Sequence, residues 1–300
     1  MRPRRLAPPL VLAAAFAACG GEDPAIGRLE VTPTRVRLPH GEVHPLTFVW
    51  TPARDLYGRE GEGAPLVFVH LLERPGIVLR TFDHPFPEHW HAGTPVRYEL
   101  DLHQSVLAPP LPAGRYQLTV GLYQPSGQRW PLETPGEEIG KREYAVVEVE
   151  VPPEPTALRI GFAGPWLAVE PGGDVQMLAR RWLTGDGAFR LRRAPGAGEL
   201  WMVLRIPEGK GAGEELVLER GAAAPGVVVA GDCGGDEIGI TGPGQHEVRL
   251  PVRAGAAPCD VRFDANFHLA SAASRHRYTV ALEGVAWEPG AKAVAPKRPS

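Results

Sequence analysis

Three histidines fall within eight positions of the stretch "TFDHPFPEHWHAGT", residues 81–94. Imidazole is the commonest protein ligand for transition metals, so the first chemistry to weigh is zinc or copper binding. His84, His89 and His91, with Asp83 and Glu88 beside them, offer nitrogen and oxygen donors. Their spacings of five and two, interrupted by Pro85 and Pro87, match no standard metal motif. The main expectation is therefore a proline-stiffened connection between strands, in which Trp90 packs over a sheet edge and turns His89 and His91 outward. A metal-binding protein using the three imidazoles is the alternative.

Catalytic patterns are missing elsewhere. The five serines, Ser105, Ser126, Ser271, Ser274 and Ser300, stand in no G-x-S-x-G setting. "HEVRL" at 246–250 lacks the second histidine of a zinc-protease helix, and no phosphate or dinucleotide loop occurs. "GREGEGAP", residues 58–65, is glycine-rich, but its two glutamates would repel phosphate. A glycosidase needs only two facing carboxyls, and 35 acidic residues give no means of choosing a pair. The expectation is a protein that binds rather than catalyses and uses no cofactor. Tryptophans serve binding well, because a broad π-face meets the C–H face of a sugar. Trp90, Trp130, Trp166 and Trp182 are the candidates; capping a core is the preferred reading for each, and one exposed aromatic among them is the alternative that would serve binding.

The residues that must position these side chains alternate with period two. In "PVRYELDL" Val96, Tyr98, Leu100 and Leu102 share one face, and in "GRYQLTVGLY" Tyr116, Leu118, Val120 and Leu122 do. "EYAVVEVEV" sets Val147, Val149 and Val151 against Glu148 and Glu150. Such strands have one dry and one wet face, as antiparallel sheets do. "PLVFVHLLE", residues 65–73, is apolar on both faces and reads as a central strand. "CDVRFDANFHL", residues 259–269, alternates without fault, and "ELWMVLRI" and "HEVRLPV" behave similarly. In "RYTVALEGVAW" the apolar face changes parity at Gly284, which predicts a β-bulge. Turns rich in Gly and Pro separate the runs. The predicted fold is all-β: two tandem antiparallel β-sandwiches, Ig-like or jelly-roll-like, over 26–152 and 157–288, joined by a stiff Pro-rich link at 153–156 and followed by a disordered tail, 289–300.

The address is legible at the N-terminus, "MRPRRLAPPLVLAAAFAACGGEDP". Arg2, Arg4 and Arg5 precede an apolar run from Leu6 to Ala18, which is too short to span a bilayer as a helix. The run ends at Cys19 and resembles a bacterial lipoprotein signal: residues 1–18 would be removed, Cys19 lipidated, and residues 19–25 left as a tether. Phe16 departs from the usual leucine of that signal, and a conventional secretory signal is the other reading. The absence of an acidic residue directly after Cys19 favours the outer membrane. Losing three arginines would take the formal charge from −3 to −6, which excludes nucleic acid as a partner. In an oxidising compartment Cys233 and Cys259 are expected to pair, although two separate buried thiols are the alternative.

"LVFVHLLE", "DHPFP", Trp90, "AGTPVRYELDL" and "PPLPAGRYQLTVGLYQPSGQRWPL" occur in an order that resembles an Ig-like module found at the ends of bacterial membrane glycosyltransferases and in secreted envelope proteins. The resemblance covers about residues 44–132. "GPWLAVE", "RRWLTGDGAFRL" and "LWMVLRIP" are more faintly similar to a sandwich that accompanies it. The resemblance implies an accessory or binding domain that contacts glycans, with no catalytic residue to carry over. The expected function is a lipid-anchored envelope module that binds a glycan or an envelope protein on pleated surfaces rather than in a reactive pocket.

Overall fold

The computed structural model describes residues 23–56, 65–124, 127–171, 179–209, 213–219, 221–272 and 274–290. Cys19 with the segment before it, most of "GREGEGAP" and the tail from 291 onward lie outside the described residues. Among the described residues every regular element is a strand. The first sandwich holds β1 (Gly27–Thr32), β2 (Arg35–Arg37), β3 (Val43–Pro52), β4 (Leu66–Arg74), β5 (Ile77–Thr81), β6 (His84–Pro85), β7 (Val96–His103), β8 (Gly114–Tyr123), β9 (Arg129–Trp130), β10 (Glu137–Gly140) and β11 (Glu143–Val151). The second holds β12 (Arg159–Ala163), β13 (Arg181–Trp182), β14 (Gly187–Arg193), β15 (Gly198–Ile206), β16 (Glu214–Leu218), β17 (Gly226–Gly231), β18 (Glu237–Thr241), β19 (Gly244–Val252), β20 (Cys259–Ala265), β21 (Phe267–Ser271), β22 (Arg277–Tyr278) and β23 (Ala281–Pro289).

In the first sandwich an antiparallel β1-β3-β7 sheet faces a larger one ordered β10-β11-β8-β4-β5, with β4 central as its two apolar faces require. Period two sends Leu29, Phe48, Trp50 and Val96 from one sheet, and Val69, Leu118, Val120 and Val149 from the other, into one core. In the second sandwich β12-β14-β20-β17-β18 faces β13-β23-β15-β19, and a small β16-β21-β22 sheet lies at the side. The run 259–269 is two strands rather than one. Asn266 ends β20 by accepting the Gly226 N–H at 2.7 Å and donating to the Ala224 carbonyl, while the alternation continues into Phe267 and Leu269 of β21. The predicted bulge occurs: register slips so that Val203 pairs with Gly284 but Leu204 pairs with Leu282, leaving Glu283 unopposed. Cys233 and Cys259 form a disulfide with Cα atoms 5.5 Å apart, tying the segment after β17 to the start of β20.

The Pro-rich link is pinned. Thr156 donates its backbone N–H to the His40 carbonyl at 3.0 Å, and Leu158 enters the second core. A second crossing follows β7, where residues 104–108 reach over so that Leu107 packs in the second core with Val106 and Ala108 against it. Gln104 holds this strap from beneath, donating to the Leu38 carbonyl at 2.7 Å and accepting from the Leu111 N–H at 3.1 Å. Backbone bonds then join the bodies: Val106 N–H to Val285 carbonyl, and Trp287 N–H to Gly41 carbonyl. Gly41, at φ +88°, sits where link and strap meet; a Cβ there would lie 2.6 Å from Thr156 and 2.9 Å from Val106.

Candidate functional site

The outward faces of two sheets meet between the sandwiches. Val43 of β3 touches Trp201 and Val203 of β15 and Ala286 of β23 in a small dry cluster. Beyond it the faces part around a cavity of about 1130 Å³. The first sandwich contributes Pro45, Glu99, Asp101 and His103, with Phe82, Asp83, His84 and Tyr123 at one side. The second contributes Trp201, Val203, Arg205, Gln245, Glu247, Arg249, Glu283 and Glu288, with Arg180 at the margin. The expectation of pleated surfaces without a pocket is thereby corrected: β15 is apolar on both faces because the second face is covered by the neighbouring sandwich.

Most polar groups on these walls are already engaged. The bulge turns Glu283, which is 5% exposed, toward Arg205 and Gln245, whose nitrogens donate to it at 2.6 and 3.1 Å. The Trp201 indole N–H is shared by Asp101 Oδ2 at 3.0 Å and Glu247 Oε1 at 2.5 Å. Arg249 donates to Asp101, to Glu288 at 2.8 Å and to Glu247 at 3.5 Å. Burial, then the hydrogen bond and charge of Asp101, push the Glu247 carboxyl up to about 7, against the pull of Trp201 and Arg249. His103 stacks on Trp201 with ring centroids 4.4 Å apart, and burial holds its imidazole below the ordinary value.

The three histidines of the opening stretch do not converge. His84 donates from Nδ1 to the Phe82 carbonyl at 2.9 Å and accepts at Nε2 from the Tyr98 hydroxyl at 2.8 Å. Burial holds it below its usual value and so neutral, and Tyr98 in turn accepts from the Trp50 indole. Both ring nitrogens are used. His89 and His91 are exposed, with rings 6.0 Å apart, and His91 lies 3.7 Å from Asp55. Among the described residues no three His, Cys, Asp or Glu side chains are placed to hold a metal ion. The alternative of a metal site at His84, His89 and His91 is not carried forward.

The four candidate tryptophans also lie away from the cavity lining. Trp90 is buried, donates to the Arg54 carbonyl at 2.9 Å and packs edge-on against Trp50 and Phe86. Trp166 is buried and donates to the Ala188 carbonyl at 2.9 Å. Trp130 is half-buried against the first core, and its indole N–H has no partner among the described residues. Trp182 is half-buried between Arg180 and Tyr278. None of the four is exposed, and Trp90 and Trp166 are buried as the preferred core-capping reading had them. The tryptophan at the cavity is Trp201; the alternation read for "ELWMVLRI" is corrected, since Leu200 to Leu204 are apolar on both faces, and that departure was the available signal.

A second polar cluster supports the wall that carries Asp83. His70 of β4 lies 3.4 Å from Asp83 and 3.5 Å from Glu143, and Glu143 accepts from the Thr119 hydroxyl at 2.7 Å. Burial opposes a charge on His70, but hydrogen bonds and attraction to both carboxylates outweigh it and raise the imidazole to about 9. His70 is thus an imidazolium at neutral pH, and it draws the Glu143 carboxyl below its usual value. No family model matches this chain, and no curated protein sequence is similar to it.

Proposed function

We propose that the protein is a non-enzymatic, lipid-anchored binding module of the bacterial cell envelope, and that the cavity between its sandwiches seats a glycan. The observation that carries this reading is the composition of the cavity walls. Carboxylates, guanidinium groups and the Gln245 amide can hydrogen-bond hydroxyls, while the Phe82 and Tyr123 rings offer apolar faces to sugar C–H groups. Six carboxyls against three guanidiniums disfavour an anionic ligand, so a neutral or amine-bearing glycan fits better than one rich in carboxylate or phosphate. The resemblance of residues 44–132 to envelope modules points the same way.

Hydrolysis is the rival use of such a cavity. A glycosidase needs two carboxyls about 5–9 Å apart, with the scissile bond between them. Asp101 and Glu247 instead accept the same indole N–H, which leaves no room for a sugar, and Arg249 holds both. For this pair of carboxyls, that favours binding over cleavage. Anchoring rests on Cys19, and mass spectrometry of the mature N-terminus would detect the diacylglyceryl thioether there. Calorimetric titration with neutral, amine-bearing and acidic oligosaccharides tests the ligand class. Binding by the first two, weakened about tenfold in Tyr123→Ala, is expected. Silence toward all three would end the glycan reading.

A further inference from the structure

Asp101 belongs to the first sandwich, and Glu247, Arg249, Trp201 and Glu288 belong to the second. Three carboxyls thus surround one guanidinium, and two of them, from different bodies, accept one indole N–H. Fully ionised, this cluster sets like charges against each other in a partly buried place. With Glu247 protonated, its repulsion from Asp101 becomes a hydrogen bond across the boundary.

The geometry points to a proton-operated clasp: a protonated Glu247 facing Asp101 holds β19 against β7, and loss of that proton lets the two walls of the cavity separate. The hinge would be the backbone junction of Gly41 and Val106 with Val285 and Trp287. The proposal rests on the cavity being the ligand seat only in so far as it regulates that seat. The clasp itself stands without a ligand.

Other groups facing Glu247 do not replace it as the titrating member. Arg249 keeps its charge throughout. His103 is held neutral by burial against Trp201. Glu288 is engaged by Arg249, and Glu283 is engaged with Arg205 and Gln245 farther along the wall.

The sign follows from the carboxyl standing near 7 when the clasp is shut and near its ordinary 4.5 when it is open. The shut form binds more protons, so it is favoured by about tenfold per pH unit as pH falls from about 7 to about 4.5, and the advantage is lost as pH rises through about 7. The test is NMR on the whole soluble chain without ligand, following the Trp201 indole N–H, identified by its disappearance in Trp201→Phe. Its shift should titrate with a midpoint near 7, and its solvent exchange, taken as a ratio to that of Glu247→Gln, should rise on the alkaline side. Glu247→Gln should abolish the titration and Asp101→Asn should lower its midpoint, whereas Glu288→Gln should keep it. A midpoint unchanged in Glu247→Gln, or exchange equally slow on both sides of neutrality, overturns the clasp. The glycan titrations of the preceding section, repeated at about pH 5.5 and 8.5, separate the two ideas. A titrating indole with no sugar bound removes only the glycan, and pH-independent sugar binding beside a silent indole removes only the clasp.

Discussion

Trp201 donates its indole N–H to Asp101 across the boundary between the sandwiches, at 3.0 Å, while the remainder of its ring is sealed between Val43 and Gly284. One side chain is thus both the dry plug of the interface and the donor that faces the cavity.

Trp201→Phe keeps most of the plug and deletes the donor. Asp101 and Glu247 then lose a shared partner in a partly buried site, at a cost of about 1–3 kcal/mol. Urea unfolding should show a lower midpoint with an unchanged slope. A midpoint equal to wild type would mean that water replaces the indole without penalty.

Gly284→Ala should destabilise by about 1–3 kcal/mol, because the new methyl would stand 2.9 Å from the Trp201 ring and 3.2 Å from Val203. Pairing with Val203 keeps position 284 on the sheet face that carries the Trp201 and Val203 side chains, so the strand has no easy way to turn the methyl aside. Thermal unfolding against Gly239→Ala, in β18 where a new methyl would meet nothing within 4 Å, reads the difference.

Stability should fall on the alkaline side because of His70. Its imidazole stands near 9 in the folded chain against 6.5 in an unfolded one. The stabilisation it gives is complete below about 6.5 and disappears as pH rises through about 9. Urea midpoints at about pH 7 and about pH 10 should differ more in wild type than in His70→Gln. An equal drop in both would place the alkaline sensitivity elsewhere.

Opening the Cys233–Cys259 bond should cost about 3–4 kcal/mol, the chain entropy of a loop closed over 26 residues. Unfolding with and without a reducing agent measures it. Both sulfurs belong to buried residues, so reduction should be slow in the folded chain and fast in urea.

Period two made the strands legible because each sandwich sheet has one dry face, and the parity change around Gly284 marked the bulge before any partner strand was known. Asn266 was harder to read, since its side chain breaks the ladder without breaking the alternation. The cavity was hidden for a different reason. Asp101 and Arg249 lie 148 residues apart, and only the docking of two outward faces brings them together. Outward charged residues on a strand look the same whether they meet water or another sheet. Among the tryptophans, Trp90 and Trp166 sit beside turns and fill cores as their preferred reading had it, while Trp201, mid-strand and not singled out, borders the cavity.

Leu107 gives the two bodies a common fate. The second body is completed by a leucine that the first one lends, so the second half is not a self-sufficient unit of inheritance. Expressed alone, residues 157–290 would carry an oily notch where that side chain belongs, and recombination could not exchange one half for a stranger's without leaving the notch unfilled.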